Sequence, residues 1–583
     1  MEFTRRDLLT FTGGSAAGLL LTPVPWSLLR DTAVLSENWP GVPQPAHGEI
    51  RARYSTCTLC PAGCGVRARC VGDRPVSLAG VPGHPASRGA LCPMGLVGHH
   101  LAFCRDRATE PLEHGKPVAM ERAVAAVSSA IAACGPRECV ALFDPRPGRA
   151  ASLVYCRFLA GLPNGVHCAS ADSQPSCFGI DLENTRAILS FGAPILDGWL
   201  SPGRVLANRG HFQLIQVEPA YSRTASLADL WVPVLPGSEG AFAEAVARAL
   251  RGEAADAKAA QVAGILNRNQ PAIAVGSGAA VANLNAILAS VGRPGGFLPR
   301  RDFTPATDIA AVPDGSVRVL LIEEAAGGEP LPWDSLRPKL APRNSVVVAL
   351  TPWLDGCAQH ADYVIPAPMY LESLDEAPTP AGSTAAAFSL SPALLSAPRK
   401  LTPPVEFVLR LAHDSATYPD ILKRRVAAIK KDGRGTVFTY PDGKSTRVRD
   451  IADLWKIMLA GALWLDDPLH TRGAGTLPAA ASQAACNPTS EYPLILIPAD
   501  APPPHGSPLI SKLYRESGLR RPANAATLHP QTGRDHGLED GDRATVKTAT
   551  AAFPVQVIFD PAVMPGIIQM VAQAVSPASI RRA

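Results

Sequence analysis

The sequence predicts a multi-domain α/β protein with a small cysteine-rich domain, two doubly wound α/β domains and a C-terminal β-barrel. Three observations support this prediction. Short apolar runs alternate with helical patterns through the middle of the chain, four cysteines lie close together near its start, and the C-terminal region alternates polar and apolar residues between turn signals. The length of 583 residues is enough for about four domains of roughly 150 residues each.

The composition excludes several classes of protein. Hydrophobic residues make up 46% of the chain and charged residues 18%, which allows large buried cores and excludes a disordered protein. The net charge of +4 is too small to predict nucleic acid as a partner. Thirteen cysteines are too sparse for a disulfide-stabilised scaffold of this length.

The N-terminal segment, residues 1–33, is typical of an export signal. Arg5 and Arg6 precede a stretch without charges, residues 8–29, that glycine, threonine and proline interrupt. This arrangement resembles a twin-arginine signal, and a membrane span is the less favoured interpretation because the stretch is only mildly apolar. An ordinary buried helix after two arginines is the alternative. We therefore expect a protein that folds around a cofactor before export and then lies in the periplasm, peripheral to the outer face of the cytoplasmic membrane.

Four cysteines form the strongest chemical motif. Cys57, Cys60 and Cys64 have the spacing C-x2-C-x3-C, and Cys92 can supply a fourth thiolate. Three neighbouring ligands and one remote ligand favour a [4Fe–4S] cluster over zinc, whose sites usually have two similar pairs. Zinc and structural disulfides remain the alternatives, and Cys70 is predicted to take no part.

The middle of the chain has the pattern of parallel strands that are buried on both faces. Continuous apolar runs alternate with helical patterns at 241–250 and 282–291. The runs are 187–191, 214–217, 272–275, 317–322 and 345–350. This alternation predicts two doubly wound α/β units, and the turn-rich C-terminal alternation predicts the barrel.

Ordered motifs along the chain resemble the molybdopterin oxidoreductase family, which includes formate dehydrogenases, nitrate reductases and polysulfide, thiosulfate, tetrathionate and arsenate enzymes. These motifs lie, after the cysteines, at 105–118, 181–192, 216–240, 361–372 and 529–542. The resemblance implies the fold of that family. The implied domains are a [4Fe–4S] domain at 45–110, a first α/β domain at 111–160 and 313–400, a second at 161–312, a connecting segment at 401–487 and a barrel at 488–583.

The resemblance also implies a cofactor. In the family, the two α/β domains bind molybdenum-bis(pyranopterin guanine dinucleotide) in loops at the carboxyl ends of strands. The matching residues of this chain are Gly192, Glu218, Gly237, Ser238 and Glu239. The glycines would allow the backbone to approach a phosphate, and the glutamates could accept hydrogen bonds from guanine. Turn formation and helix capping are the alternative roles.

Five departures from the family concern the cofactor surface. Met94 stands where the family usually has lysine or arginine, two residues after the fourth cysteine. No single residue is compelling as the molybdenum ligand, with Asp172, Cys168 and Cys177 as the candidates near Asn164 and His167. The other departures are the loss of the amide at 193–194, the loss of the Thr-x-Arg motif at 493–498, and the absence of the asparagine-bearing loop after Gly566.

These departures resemble a subgroup of the family without molybdenum, found in quinone-linked complexes such as the periplasmic menaquinone reductase and alternative complex III. The favoured function is therefore a periplasmic [4Fe–4S] electron-transfer subunit of a respiratory oxidoreductase complex. The implied partners are a ferredoxin-like iron–sulfur subunit, a multihaem cytochrome c and an integral membrane quinone-site subunit. The alternative is a catalytic molybdenum oxidoreductase that acts on a sulfur or arsenic oxyanion.

Overall fold

The computed structural model describes most of the chain. The described residues are 4–21, 48–104, 107–169, 178–196, 200–301, 306–325, 333–398, 401–443, 448–468, 477, 486–499, 524–571 and 575–583.

Helices and strands alternate along these residues. The helices are α1 Arg5–Leu21, α2 Pro93–Val97, α3 Met120–Ala132, α4 Ala150–Ala160, α5 Pro202–Asn208, α6 Arg223–Leu227, α7 Glu239–Leu250, α8 Ala257–Arg268, α9 Ala279–Ile287, α10 Trp333–Leu336, α11 Pro404–Leu411, α12 Tyr418–Asp432, α13 Ile451–Leu459 and α14 Pro530–Asp535. The strands are β1 Ile50–Thr56, β2 Gly65–Val71, β3 Arg74–Gly80, β4 Leu112–Glu113, β5 Lys116–Pro117, β6 Cys139–Phe143, β7 Gly165–Ala169, β8 Phe178–Ile180, β9 Ala187–Phe191, β10 Gln213–Val217, β11 Leu230–Val232, β12 Ala272–Val275, β13 Phe297–Pro299, β14 Thr307–Asp308, β15 Val317–Glu323, β16 Val346–Thr351, β17 Tyr363–Pro366, β18 Asp375–Ala377, β19 Ala387–Ser391, β20 Thr436–Phe438, β21 Leu463–Leu465, β22 Leu494–Ala499, β23 Ala525–Leu528, β24 Arg543–Lys547, β25 Ala552–Phe559, β26 Ile567–Val571 and β27 Ser576–Arg582.

The N-terminal helix α1 exposes three large apolar side chains near its start. Leu8, Leu9 and Phe11 all lie on the surface. None of the helices in the described part of the chain has both the length and the hydropathy that crossing a membrane requires.

The cysteine-rich domain is built on an antiparallel sheet in the order β1-β2-β3. Thr56 pairs with Gly65 at the end of the β1–β2 ladder, so residues 57–64 form the loop that joins these strands. Alternate residues of β2 are buried and exposed, as expected for a strand with one face on a core. The sheet therefore holds both ends of the loop that carries three of the cysteines.

The first α/β domain is an eight-stranded sheet in the order β14-β7-β6-β15-β16-β17-β4-β5. The strands from β14 to β17 are parallel, and β4 and β5 form an antiparallel edge. From the central pair β6 and β15 the chain proceeds outwards in opposite directions. The boundary between β6 and β15 is thus the topological switch point, beyond whose carboxyl ends open α/β sheets bind their ligands.

The second α/β domain has a parallel sheet in the order β11-β10-β9-β12. One face packs against α7, α8 and α9 through small buried residues such as Ala243, Val262 and Leu284. The predicted apolar runs become strands because both faces of each are covered. Every residue of β9 and of β12 is buried.

The two remaining regions complete the architecture. Helices α11 and α12 and strand β21 share one core with the first α/β domain, in which Phe407, Leu422 and Trp464 lie with Leu142. The C-terminal strands close a barrel in the order β22-β26-β23-β25-β24-β27. The predicted multi-domain α/β architecture with a closed C-terminal barrel is confirmed.

One domain boundary in the structure differs from the boundary that the sequence predicts. Strands β7 and β14 lie within the range 161–312 that the sequence analysis assigned to the second α/β domain, yet both pair into the first sheet. The reason is physical: an apolar run shows that a strand is buried, but it does not show which sheet the strand joins. The segment from β8 to β13 contains the second sheet.

Candidate metal centre

The four predicted ligands lie at two neighbouring loops. Cys57 directly follows β1, Cys64 directly precedes β2, and Cys60 lies between them. The N–H of Cys57 donates to the carbonyl of Cys64 at 2.8 Å, which closes this loop on itself. Cys92 caps the N-terminus of α2.

The four thiols influence one another electrostatically. Burial raises the pKa of Cys57, and the thiols of Cys60, Cys64 and Cys92 raise this pKa further. Burial and the thiols of Cys60 and Cys92 raise the pKa of Cys64 to about 12, although the hydrogen bond with Ser201 opposes this rise. Such thiols ionise only when a cationic centre compensates the thiolates. The four cysteines are therefore brought together, as the sequence predicts.

The arrangement distinguishes between the three kinds of cysteine site. All cysteines in the described residues are free thiols, so the disulfide alternative does not hold there. A tetrahedral zinc holds its thiolates about 3.8 Å apart, given Zn–S bonds of roughly 2.3 Å. No three His, Cys, Asp or Glu side chains of the described residues are grouped to hold a single metal ion. Four thiols that influence one another electrostatically, three on one loop and one on the next, fit a [4Fe–4S] cluster.

Hydrogen-bond donors surround these sulfurs, as anionic cluster ligands require. The N–H of Gly95 donates to the Sγ of Cys92 at 3.4 Å, and the hydroxyl of Ser201 lies 3.6 Å from the Sγ of Cys64. The hydroxyl of Tyr370 is buried beside Cys57 and has no hydrogen bond of standard geometry within the described part of the chain. This donor, which interacts with the thiol of Cys57, fits a ligand sulfur of the cluster as its partner.

One side of the site is close to the surface. Cys57 and Cys64 are buried, whereas Cys60 and Cys92 are only half-buried. Leu96 on α2 and Phe103 in the following turn expose 42% and 67% of their surface. Cys70 lies on β2, fully buried in the small core behind the loop.

The ligand crevice of the first α/β domain is occupied by side chains of the protein itself. Asp144 directly follows β6 and Glu323 ends β15, so both lie at the switch point. The guanidinium of Arg149 bridges them, at 2.8 Å from Asp144 Oδ1 and at 2.9 and 2.6 Å from the two carboxylate oxygens of Glu323. All three residues are at most 3% exposed.

Further polar groups complete this buried network. His167 and Ser152 both contact the Oδ2 of Asp144, at 3.2 and 2.6 Å. Burial raises the pKa of Asp144, but the charge of Arg149 and the contacts with His167 and Ser152 outweigh it and hold this pKa well below its usual range. Burial also raises the pKa of Glu323, and Arg149 only partly opposes the rise.

Little space remains between this network and the cysteine loop. A cavity of about 40 Å³ lies there, lined among others by Thr58, Arg149, Tyr155, Glu323 and Tyr370. This volume suits a few water molecules. Within the described residues, the buried ion pairs of Asp144, Arg149 and Glu323 fill the switch-point side of the crevice.

The predicted dinucleotide contacts of the second α/β domain follow the carboxyl ends of three neighbouring strands. Gly192 follows β9, Glu218 follows β10, and Gly237, Ser238 and Glu239 follow β11. Gly192 has φ +65° and Gly237 has φ +83°, and a side chain at Gly192 would meet open space. The carboxylate of Glu218 is engaged internally, because it accepts from the side-chain amide of Gln216 at 2.8 Å and the N–H of Ser222 at 3.1 Å.

The structure describes one of the three candidate molybdenum ligands, Cys168. Asp172 and Cys177 lie outside the described residues. Cys168 is fully buried on β7, where its thiol donates to the carbonyl of Leu142 at 3.3 Å. Met94 is half-buried on α2.

The sequence analysis missed the charged residues that fill the crevice. The available signal was the occurrence of Asp144 and Glu323 at the ends of two continuous apolar runs, since charged residues are rarely buried unless they are paired. The pairing itself was not visible, because Arg149 and Glu323 are 174 residues apart.

The domain architecture and the thiolate site together define an iron–sulfur oxidoreductase subunit. Residues 50–102 match the molybdopterin oxidoreductase Fe4S4 domain. A menaquinone reductase, molybdopterin-binding-like subunit of Nitratidesulfovibrio vulgaris is 28% identical over 75% of this chain and 77% of its own length.

Other similar proteins match over less of their length or with lower identity. One subunit of the sulfite dehydrogenase of Allochromatium vinosum is 25% identical over 34% of this chain and 24% of its own length. The molybdopterin-containing subunit of thiosulfate reductase of Salmonella typhimurium is 22% identical over 41% of this chain and 34% of its own length. Acetylene hydratase of Pelobacter acetylenicus shares the fold, with a TM-score of 0.64, 14% identity and coverage of 89% of this chain and 92% of that one.

Proposed function

We propose that this chain is a [4Fe–4S] electron-transfer subunit of a quinone-linked respiratory oxidoreductase complex, and that its pterin site no longer binds the cofactor. The observation that carries the proposal is the ion-pair network of Asp144, Arg149 and Glu323 at the switch point. These side chains take up the space and the charge that a dinucleotide would need. The similarity to the molybdopterin-binding-like subunit of menaquinone reductase, at 28% identity, supports a quinone-linked complex.

The cluster would be held by Cys57, Cys60, Cys64 and Cys92. A [4Fe–4S] cluster supplies one-electron transfer, while the residues of this chain position it and adjust its charge. The N–H of Gly95 stabilises negative charge on one ligand sulfur through its hydrogen bond. Burial of Cys57 and Cys64 keeps water away from the inner side of the site.

Electrons would enter or leave at the half-buried side formed by Cys60 and Cys92. The exposed Leu96 and Phe103 give this surface the apolar character that is typical of the centre of a protein interface. We assign it to a ferredoxin-like iron–sulfur subunit. A multihaem cytochrome c and an integral membrane quinone-site subunit complete the proposed complex.

The proposed location is the periplasm, at the outer face of the cytoplasmic membrane. Support comes from the sequence of α1, which begins with Arg5 and Arg6 and continues without further charges after Asp7. A protein with a preassembled cluster is a suitable substrate for export in the folded state.

Metal analysis of the full-length protein, purified without oxygen, tests the proposal. The expected result is about four iron atoms per chain, with molybdenum and tungsten below about one-tenth, the amount that weak or absent binding leaves. Nearly stoichiometric molybdenum would overturn the proposal in favour of a catalytic oxidoreductase for a sulfur or arsenic oxyanion. The variants of Asp172, Cys168 and Cys177 would then identify the ligand by loss of that metal.

A matched pair of variants tests the cluster ligands. Cys60→Ser should remove most of the iron and the visible absorption, because serine is a poor ligand for the soft cluster site. Cys70→Ser is the control, since Cys70 is buried in the same domain but is not among the four ligands. Full iron in Cys60→Ser, or one zinc per chain in the unaltered protein, would refute the cluster assignment.

A further inference from the structure

A buried arginine reaches the loop that carries the first cluster cysteines. Arg146 lies in the connection between β6 and α4, and only 4% of it is exposed. Its Nη1 donates to the carbonyl of Thr58 at 2.9 Å, and Thr58 directly follows Cys57. This contact joins the network at the switch point to the cysteine loop.

The positive charge of Arg146 is less completely neutralised than those of its buried neighbours. Its single carboxylate partner within the described residues is Asp375, at 3.3 Å, whose other oxygen accepts from the hydroxyl of Tyr418 at 3.0 Å. By contrast, Arg149 has two buried carboxylates at 2.6 and 2.8 Å. Arg107, a partly buried cation, forms a paired contact with Glu372 at 2.7 and 2.8 Å.

The remaining polar atoms of Arg146 support the same conclusion. Its Nη2 also lies 3.3 Å from the carbonyl of Glu376. Its Nε is buried and has no hydrogen-bond partner within the described part of the chain. This guanidinium, paired with one carboxylate at 3.3 Å and bonded to two carbonyl oxygens, places a positive charge beside the cysteine loop in a region of low dielectric constant.

We propose that Arg146 is the residue that raises the reduction potential of the cluster. The inference rests on the cluster of the proposed function. One added electron makes the cluster more negative by one unit, and a fixed positive charge beside its ligand loop favours that state. Arg146 is thus a positioning residue that acts through its charge and through its bond to Thr58.

The test is a redox titration of the full-length protein with dithionite and mediators, followed by the electron paramagnetic resonance of the reduced cluster. Arg146→Gln should lower the ratio of reduced to oxidised cluster at a fixed potential about tenfold, equivalent to about 59 mV for one electron. Arg146→Lys keeps the charge and should restore most of this ratio. Asp375→Asn removes the opposing charge and should shift the ratio in the other direction.

Arg67→Gln is the control. Arg67 lies three residues after Cys64 but is exposed on β2, where solvent screens its charge, so its replacement should leave the potential unchanged. The inference fails if Arg146→Gln keeps its iron and its potential, or if Asp375→Asn does not raise the potential. It also fails if Arg146→Lys behaves like Arg146→Gln, which is the result expected of a purely structural brace. Absence of a cluster from the unaltered protein would instead refute the proposed function.

Discussion

Replacement of Arg149 by methionine should destabilise the first α/β domain. The guanidinium is 3% exposed and bridges Asp144 and Glu323, and its Nε donates to the carbonyl of Arg146 at 2.9 Å. After the substitution His167 still faces Asp144 at 3.2 Å. Glu323, however, keeps a buried carboxylate without a cation, and this loss dominates the effect.

The magnitude follows from the burial of the pair. Removal of one partner from a buried ion pair costs about 3–5 kcal/mol. In a domain of roughly 150–250 residues, each kcal/mol lowers the melting temperature by about 2–4 °C, so we expect a decrease of about 6–20 °C. Replacement of both partners, Arg149→Met with Glu323→Leu, should recover much of this loss, since an apolar pair of similar volume has no desolvation cost.

The assay is thermal unfolding of the full-length protein at a fixed heating rate, followed by near-ultraviolet circular dichroism. Arg122→Met is the control, because Arg122 is 69% exposed in its ion pair with Glu113 and such pairs contribute at most about 1 kcal/mol. An unchanged melting temperature for Arg149→Met would refute the reasoning. It would mean that Arg149 does not stabilise the crevice and is held there for an anionic ligand instead.

Two further predictions concern pH and export. Burial lowers the pKa of His167, but contacts with Asp144 and Cys156 outweigh this effect and raise it to about 9. The stabilisation by the ion pair of His167 with Asp144 should be fully present below about pH 6.5, the pKa of histidine in the unfolded chain. It should be lost as the pH rises through about 9, the pKa of His167 in the folded protein. His167→Gln should flatten that decline in urea unfolding midpoints, and an equal decline in both proteins would contradict the assignment. Arg5→Lys with Arg6→Lys should retain the protein in the cytoplasm with its iron bound, as measured by cell fractionation; normal export would contradict the twin-arginine prediction.

The sequence predicts the strands of this fold well where burial is complete. The run 187–191 coincides with β9 and the run 272–275 with β12, because a strand covered on both faces has no polar positions to interrupt it. The sequence does not predict equally well which sheet each strand joins. β7 pairs with β6 through backbone hydrogen bonds, which side-chain patterns do not encode.

In the candidate site, too, local features could be predicted from the sequence and long-range contacts could not. The four cluster cysteines could be predicted because their types and spacing are local and chemically specific. The residues that fill the crevice could not, because a buried charge is acceptable only beside its partner. Arg149 and Glu323 become neighbours only when β6 and β15 pair at the centre of the sheet.

If the pterin site has been lost, as proposed above, the network also provides a physical account of how the fold persists without the cofactor. An empty crevice of ligand size would leave unfilled space and unpaired polar groups, and both destabilise a protein. Side chains that close the crevice must therefore satisfy one another, as Arg149 does with Asp144 and Glu323. Once they do, the return of a dinucleotide would require the disruption of a buried ion-pair network. The same connection between β6 and α4 carries Arg146 to the cysteine loop. A loop that in a cofactor-binding sheet would face a ligand thus reaches the cysteine loop in this protein.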